Sequence, residues 1–163
     1  MRTYHKIARM FLLLLLLAGV VLLPACGKKT PEAPPVACEE LVNRLGEAQP
    51  FEEMTLLSAG QIEGYINVES AVYADAAMMI NGSLSTPDTI IAITAADAEG
   101  VQGIADALAL YRQSTLEQYR DYRPEEVPKL ENAIQKTRGL QTVLVVCADP
   151  ALAERTLAEV WGN

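Results

Sequence analysis

Histidine is nearly missing from this sequence, since His5 is its single occurrence among 163 residues. It lies in an N-terminal segment that the sequence marks for removal, so the mature chain has none. Ser-His-Asp and Cys-His nucleophile systems, histidine metal sites and the usual general base near neutral pH are therefore excluded. The Ser-x-x-Lys arrangement and the Asp-rich calcium loop are absent as well. We expect no catalytic residue, no metal and no cofactor.

Basic residues are the second shortage. The chain has 13 Lys and Arg against 21 Asp and Glu, for a net charge of −8. The first 25 residues hold three of the basic residues and none of the acidic ones, so the remainder carries −11. Contacts of Lys and Arg with phosphates supply most of the affinity for nucleic acid. A chain this acidic is not expected to have a nucleic-acid partner.

The N-terminus combines the features of an export signal. A few basic side chains precede an uncharged, leucine-rich run. The run ends in Leu23-Pro24-Ala25-Cys26, which resembles a bacterial lipobox, where the cysteine thiol receives a diacylglyceryl group before cleavage on its N-terminal side. We predict a lipoprotein signal peptide over residues 1–25, with signal peptidase recognising Leu23 and Ala25, and lipidation at Cys26.

An uncleaved membrane anchor or ordinary secretion is the competing interpretation. Residues 10–27 are uncharged and as a helix would span about 27 Å, close to the hydrocarbon core of about 30 Å. Pro24 would break that helix near its end, which favours the lipid anchor. Residues 26–36 then form a lipid-anchored linker on the extracytoplasmic face of the cell membrane. Lys28 and Lys29 would lie at headgroup level, and the prolines would extend the chain.

Residues 37–163 have the composition of a single α+β domain. Two short helices are predicted first, from "CEELVNRLGEA" and "FEEMTLLSAGQIEGYI". Two hairpins follow, "SAVYADAAMMI" with "DTIIAITAA" and "AIQKTR" with "QTVLVVCA", each before an amphipathic helix. Two such β-β-α units predict a four-stranded, mostly antiparallel sheet with the helices packed on one face.

The two strand-to-helix junctions have similar sequences. "TIIAITAADAEGVQGIADAL" and "TVLVVCADPALAERTLAEVW" share a threonine, a buried strand, an Ala-Asp pair and an amphipathic helix. Asp97 and Asp149 are predicted to cap the helices, and Pro150 suits the first helical position. The similarity indicates either an internal repeat or two junctions that look alike by chance, and the sequence leaves both open.

The stretch between the two units has the most specific pattern in the chain. "YRPEEVPKLENA" precedes a tight turn at Gly139 and the strand "TVLVVCAD". With these motifs in this order, the sequence over residues 39–160 resembles the bacterial lipoprotein family of domain of unknown function 4358. The resemblance implies an extracytoplasmic, lipid-anchored α+β domain, and it implies no activity and no functional residues. Leu140 and Gln141 replace a more usual polar-aromatic pair, which we expect to affect only the edge of the turn.

The same stretch supplies a candidate partner-binding loop. Polar loop residues carry function more often than core residues, and we single out Tyr122, Pro124, Glu125 and Asn132. The alternative is a stiff connector, in which Pro124 and Pro128 forbid a long regular helix and direct the chain into the second hairpin. The sequence does not separate the two.

Tyr111, Tyr119 and Tyr122 fall on one face of the predicted long helix. They could stack on sugars, but we favour residues at the core boundary with their hydroxyls toward water. The two remaining cysteines, Cys38 and Cys147, could form a disulfide in an exported protein. Cys147 lies in an apolar strand, however, where a small buried thiol is common, so we favour two separate structural thiols.

Three pairs of adjacent glutamates are the remaining candidates for acid-base chemistry. Neighbours on a helix do not face the same way, so they make poor catalytic partners. The pairs are Glu39-Glu40, Glu52-Glu53 and Glu125-Glu126. We therefore predict a non-enzymatic, lipid-anchored domain that binds an envelope protein, with a small-ligand carrier and a histidine-free carboxylate hydrolase as the alternatives.

Overall fold

One sheet of five antiparallel strands organises the fold. The computed structural model describes residues 36–162. The strands are β1 (Met54–Leu57), β2 (Tyr73–Asn81), β3 (Thr89–Ala95), β4 (Ile134–Arg138) and β5 (Gln141–Val146). The α-helices are α1 (Cys38–Ala48), α2 (Ala59–Tyr65), α3 (Gly100–Tyr122), α4 (Val127–Glu131) and α5 (Pro150–Trp161), and Ser70–Val72 and Pro124–Glu126 form 3-10 turns.

The sheet has the strand order β1-β2-β3-β5-β4, with β3 and β5 side by side at its centre. Every residue of these two strands is buried, as expected where both faces of a strand are covered. In chain order, β2, β3 and α3 form one β-β-α unit and β4, β5 and α5 form the other. The predicted α+β class, the antiparallel pairing and the two units are confirmed. None of the helices within residues 36–162 combines the length and the apolar character needed to span a membrane.

The count of four strands is wrong, because β1 is a fifth. It lies in "FEEMTLLSAGQIEGYI", where the sequence predicts a single helix. The stretch divides at Ser58, whose backbone N–H donates to the Gln61 side chain at 3.0 Å and so starts α2. Before that point Leu57 pairs with Met78 of β2. A four-residue strand obtains its backbone partners from a distant segment, and a local pattern does not reveal them.

Helices cover both faces of the sheet, so the prediction of helices on one face is also wrong. Ile90 and Val143 point toward α1 and α5, whereas Ile91 and Leu144 point toward α2, α3 and α4. Successive side chains of a strand alternate between the two faces. Strands that are apolar throughout therefore need cover on both sides, and helices supply it on each.

The two β-β-α units are not related by a rotation. Their last strands are antiparallel neighbours, yet α3 and α5 lie on opposite faces, whereas a two-fold axis through the sheet would keep both helices on one face. The similarity between the units comes from the junctions. Asp97 Oδ1 accepts hydrogen bonds from the N–H groups of Glu99 and Gly100, and Asp149 Oδ1 accepts one from Leu152. The predicted cap at Asp149 is confirmed, whereas Asp97 lies two residues before Glu99, the N-cap residue of α3, and orders the turn that leads into the helix.

Candidate functional site

A groove of about 940 Å³ lies on the face of the sheet that α2, α3 and α4 cover. Its floor contains Ile80 and Thr89, which pair near the turn of the β2-β3 hairpin. Residues 107–122 of α3 form one wall, and the end of α2 with residues 84–88 forms the other. This space is called the groove below.

Tyrosine is concentrated in the groove. Four of the five tyrosines within residues 36–162 line it, namely Tyr65, Tyr111, Tyr119 and Tyr122. Tyr111 and Tyr119 are partly buried against the core, so the prediction of boundary residues fits them. The prediction that their hydroxyls face water is wrong, because both hydroxyls bond within the protein. Tyr122 is 86% exposed and extends beyond the core. A tyrosine offers a ligand both an apolar ring and a hydroxyl group.

Two tyrosine hydroxyls attach α3 to the β2-β3 hairpin. Tyr111 Oη lies 3.5 Å from Thr89 Oγ1, and Tyr119 Oη donates to the carbonyl oxygen of Leu84 at 3.1 Å. Burial is the main cause that raises the pKa of both phenols, so both stay protonated at neutral pH. The Tyr111 hydroxyl thereby links α3 to the floor of the groove, and the Tyr119 hydroxyl links the two walls.

The turn between β2 and β3 is ordered by Asn81. Its Oδ1 accepts hydrogen bonds from Ser83 Oγ at 2.8 Å and from the Ser85 N–H at 3.0 Å, and its Nδ2 donates to the carbonyl of Glu52 at 3.0 Å. Leu84 has a φ of 54°, a left-handed conformation that a bulky side chain rarely adopts. The turn therefore holds a leucine in a strained conformation at the mouth of the groove.

Exposed apolar side chains gather around the groove. Four of the five large apolar residues that are exposed within residues 36–162 line it, namely Tyr65, Leu84, Leu110 and Tyr122. Leu84 and Leu110 are each 61% exposed. The fifth, Leu56, lies on β1 next to Leu57, whose side chain enters the core on the groove side. Because side chains alternate along a strand, Leu56 faces the opposite side of the sheet.

An ion cluster joins α4 to the turn of the hairpin. Lys129 Nζ lies 3.1 Å from Asp88 Oδ1 and 2.8 Å from Glu126 Oε2. The nearly buried Asp88 also accepts a hydrogen bond from Thr86 Oγ1 at 2.9 Å. Desolvation alone would lower the pKa of Lys129, but hydrogen bonds to Glu126 and Asp88 raise it. The single positive charge of Lys129 is shared by the carboxylates of Asp88 and Glu126, so the cluster keeps a net negative charge beside the groove.

The predicted partner-binding loop is divided between the groove and the connection that follows it. Tyr122, the last residue of α3, lines the groove. Pro124 begins the 3-10 turn, and Glu125 is exposed after it. Asn132 Nδ2 donates to the Pro128 carbonyl at 2.8 Å and closes the end of α4. The structure brings none of these last three side chains into the lining of the groove.

The predicted lipidation site Cys26 and the recognition residues Leu23 and Ala25 lie outside the described residues. Cys38 and Cys147 are both free and buried, which confirms the prediction of separate thiols. Burial, as the main cause, raises the pKa of each thiol to about 11. Such thiols are protonated at neutral pH and do not act as nucleophiles.

The glutamate pairs do not converge at the groove. Glu126 is held by Lys129, and the other five glutamates are exposed, namely Glu39, Glu40, Glu52, Glu53 and Glu125. Two other carboxylates line the groove, those of Asp88 and Asp106. Within residues 36–162 no three His, Cys, Asp or Glu side chains are grouped so that they could hold a metal ion.

Sequence reasoning missed Tyr65, Leu84 and Leu110. Leu110 carries a usable signal, because it lies two positions after the buried Leu108 and therefore on a different side of α3. An apolar residue away from the buried stripe indicates a second contact surface. Tyr65 and Leu84 have no such signal, because Tyr65 ends the short helix α2 and Leu84 lies in the turn after β2, and the orientation of both segments depends on the sheet.

The family of the chain can now be stated. Searches of curated proteins and of solved structures gave no significant match. A family profile described as "Domain of unknown function (DUF4358)" matches residues 47–147. The matched range includes all five strands and every segment that lines the groove. Because the match covers more than half of the sequence, the chain belongs to the DUF4358 family.

Proposed function

We propose that this chain is a non-enzymatic, lipid-anchored extracytoplasmic domain that binds a protein partner of the cell envelope in the groove. The observation that carries the proposal is the gathering of exposed Tyr65, Leu84, Leu110 and Tyr122 around one preformed groove. Contiguous exposed apolar surface on a soluble domain marks an interaction site. Tyrosine is also enriched among the residues that contribute most to binding at protein interfaces.

The conformation of Leu84 supports a binding role for the groove. A leucine at a φ of 54° costs on the order of 1–2 kcal/mol relative to a favoured conformation. Its side chain is 61% exposed, so it recovers little of that cost by packing within the domain. Strained residues of this kind cluster at functional sites. Contact with a partner would bury the side chain of Leu84 and so offset the cost of its conformation.

The lipid anchor in this proposal rests on the sequence around Cys26. The tetrapeptide Leu23-Pro24-Ala25-Cys26 has the lipobox pattern, after a leucine-rich run of the kind that export signals contain. Two acyl chains, at about 0.8 kcal/mol per buried methylene, would attach the protein stably to the bilayer. The protein would then work at the extracytoplasmic face of the cell membrane.

The position of the first described residues supports a groove that lies away from the anchor. The backbone N–H of Cys38 donates to Asp75 Oδ2 at 2.8 Å, near the start of β2, whereas Ile80 of the groove floor is near its end. Five strand residues separate the two positions by about 17 Å. Moreover, α1 covers the face opposite the groove. A tether that precedes residue 36 would therefore leave the groove accessible to a partner.

A small-ligand carrier is the second candidate, and the volume of the groove favours it. About 940 Å³ lies near the upper end of the range of about 300–1,000 Å³ for small-molecule sites. We rank it second because the α3 wall, residues 107–122, is about 22 Å long at 1.5 Å per residue. A groove of that length suits a polymer better than a compact ligand.

The carboxylates of the groove support binding rather than hydrolysis. Asp88 is ion-paired with Lys129, and Asp106 Oδ1 accepts a hydrogen bond from Gln102 Nε2 at 2.8 Å. Both carboxylates are therefore engaged by neighbouring side chains of the domain. The acid and the base of a carboxylate hydrolase must instead face the same bond of a substrate.

Site-specific photo-cross-linking of the full-length lipoprotein in membranes tests the binding role. A photoreactive amino acid replaces Leu110 in one variant and, as the matched control, Leu56 in another, since Leu56 is an exposed leucine on the opposite side of the sheet. We expect a discrete cross-linked product from position 110 that position 56 does not give. The same products from both positions would show that the groove is not the binding site.

The anchor has its own test. Cells are grown with a labelled fatty acid, and the natural chain is compared with the Cys26→Ala variant. We expect the label and membrane retention with the natural chain, and neither with the variant. Label on the alanine variant would refute lipidation at this cysteine.

A further inference from the structure

The groove is suited to one class of partner chemistry. Resting on the proposed function, we propose that its occupant is a linear polypeptide segment that combines apolar anchor side chains with lysine and arginine. The segment lies along α3, places its apolar side chains between the exposed leucines and tyrosines, and presents its positive charges to the acidic surroundings.

The length of the groove indicates a chain-like occupant. Its α3 wall, residues 107–122, extends for about 22 Å. An extended peptide of about seven residues, or a helix of about 15, has that length. Ser114 and Gln118 lie exposed along this wall, where their side chains can donate and accept hydrogen bonds with a peptide backbone.

The apolar groups favour a polypeptide over a glycan. Tyr65 and Tyr122 alone would be compatible with stacking on sugar rings. Leu84 and Leu110, which are equally part of the groove and are each 61% exposed, offer aliphatic surface without a flat face. Aliphatic side chains pack best on other apolar side chains, as in grooves that accept the apolar positions of a bound peptide.

The charges favour basic residues in that segment. Asp88, Asp106 and Arg123 line the groove, and Lys129 is shared between Asp88 and Glu126. These groups together leave a net negative charge at the groove. Residues 36–162 as a whole contain 20 Asp and Glu against 8 Lys and Arg. A field of this sign attracts a basic segment and repels an acidic one.

Synthetic peptides of about 15 residues test this chemistry on the detergent-solubilised full-length protein. One set has leucine and tyrosine at every second position, for an extended chain, and a second set has them at every third or fourth position, for a helix. Within each set the other positions are all lysine, all serine or all glutamate. The peptides carry fluorescein, and binding is measured by fluorescence anisotropy.

In at least one set, we expect the lysine peptide to bind about tenfold more tightly than the serine peptide and the glutamate peptide not to bind. Added salt should narrow the difference between lysine and serine, because it screens exposed charges. Leu110→Ser and Tyr122→Ser should each weaken binding of the lysine peptide by about tenfold. Leu56→Ser, the control on the opposite side of the sheet, should leave the affinity unchanged.

The outcomes that overturn the inference are distinct from those that overturn the proposed function. Equal binding of the lysine and glutamate peptides, or equal weakening by Leu56→Ser, contradicts the peptide chemistry. A third outcome also contradicts the peptide chemistry. If neither peptide set binds, and soluble peptidoglycan fragments bind in a way that Tyr122→Ser abolishes, the occupant is a glycan. In each of these cases a groove-specific cross-link at position 110 would still uphold a binding role, and its absence would remove both.

Discussion

The carboxamide of Gln141 joins the start of the described chain, the sheet and the last helix. Gln141 is fully buried. Its Oε1 accepts a hydrogen bond from Trp161 Nε1 at 2.8 Å, and its Nε2 lies 3.3 Å from the carbonyl oxygen of Val36. The expectation that Leu140 and Gln141 affect only the edge of the turn is therefore wrong. The turn before β5 delivers Gln141 into the core, as the first residue of a central strand.

Replacement of Gln141 by leucine should destabilise the protein. The buried indole N–H of Trp161 would lose its acceptor, and an unpaired buried polar group costs about 1–3 kcal/mol. Urea denaturation followed by circular dichroism measures the change. Gln113→Leu is the matched control, because Gln113 is exposed and bonds only across one turn of α3, to Glu117. Equal losses in both variants would contradict the role assigned to Gln141.

The two buried thiols should be almost unreactive in the folded protein. The pKa of Cys38 and of Cys147 is about 11, against an ordinary value of 9.0, so at pH 8 the thiolate fraction falls about a hundredfold. Iodoacetamide alkylation, followed peptide by peptide with mass spectrometry, should be slower than in guanidinium by at least that factor. Similar alkylation rates in the folded protein and in guanidinium would contradict the prediction that the two thiols are buried and protonated.

The raised pKa values of the same two thiols lead us to expect that the protein loses stability at high pH. Their pKa values are raised on folding, so the stabilisation from the neutral thiols is complete below about pH 9 and is lost as the pH rises toward about 11. Urea midpoints measured across that interval should fall. Cys38→Ala with Cys147→Ala should flatten this part of the profile, and an unchanged slope in the double variant would assign it to other groups.

At the scale of elements, the short helix α4 depends on Lys129. The helix has five residues, and isolated helices of that length are not stable in water. Leu130 anchors it in the core, and Lys129 ties it to Asp88 of the hairpin and to Glu126. The side chain of Lys129 is 22% exposed, and those of Asp88 and Glu126 are 11% and 18% exposed, so solvent screens this cluster only in part.

Lys129→Met should lower the free energy of unfolding by about 1–3 kcal/mol, because it leaves two carboxylates close together without their cation. Lys136→Met is the matched control. It breaks a pair with Glu154 in which both side chains are 52% exposed, and such a pair contributes about 0–1 kcal/mol. Chemical denaturation of both variants at low ionic strength separates the two. A loss for Lys129→Met no larger than that of its control would contradict the role of the cluster.

The elements that the sequence predicts correctly are those with strong local signals. The proline pair at positions 124 and 128 indicates the break after α3, and Asp149 with Pro150 indicates the start of α5. The missing element, β1, has four residues and only Leu57 buried. Its identity comes from pairing with β2, which depends on residues more than 20 positions away. Local periodicity cannot contain that information.

At the scale of the whole molecule, the position of the helices and the groove follow from the packing of the sheet. The sequence shows that β3 and β5 are apolar throughout, which fits cover on both faces, but it does not show which helix lies on which face. The groove depends on that choice, because it brings together Tyr65, Leu84 and Leu110 from three separate segments. Tyr122 is the one predicted site residue that lines it, since it continues the visible stripe of α3.

Cooperative unfolding follows from a sheet that is shared by two cores. Side chains of β3 and β5 enter both cores, and every residue of these strands is buried. Unfolding of one helical layer would expose apolar residues of both central strands and weaken the ladder on which the other layer rests. The two layers should therefore unfold together, as a two-state unit.

Trp161, the single tryptophan, reports on the core formed by α1 and α5, and Ile91 belongs to the core on the opposite face. Ile91→Ala should cost about 2–5 kcal/mol and lower the urea midpoint of Trp161 fluorescence as much as that of far-ultraviolet circular dichroism. Val143→Ala, on the same face as Trp161, is the matched variant and should likewise keep the two midpoints coincident. If Ile91→Ala lowered the dichroism midpoint and left the Trp161 midpoint in place, the layers would unfold separately. The groove face could then open without disturbing the opposite face. That outcome would contradict the argument that the shared sheet couples the two layers.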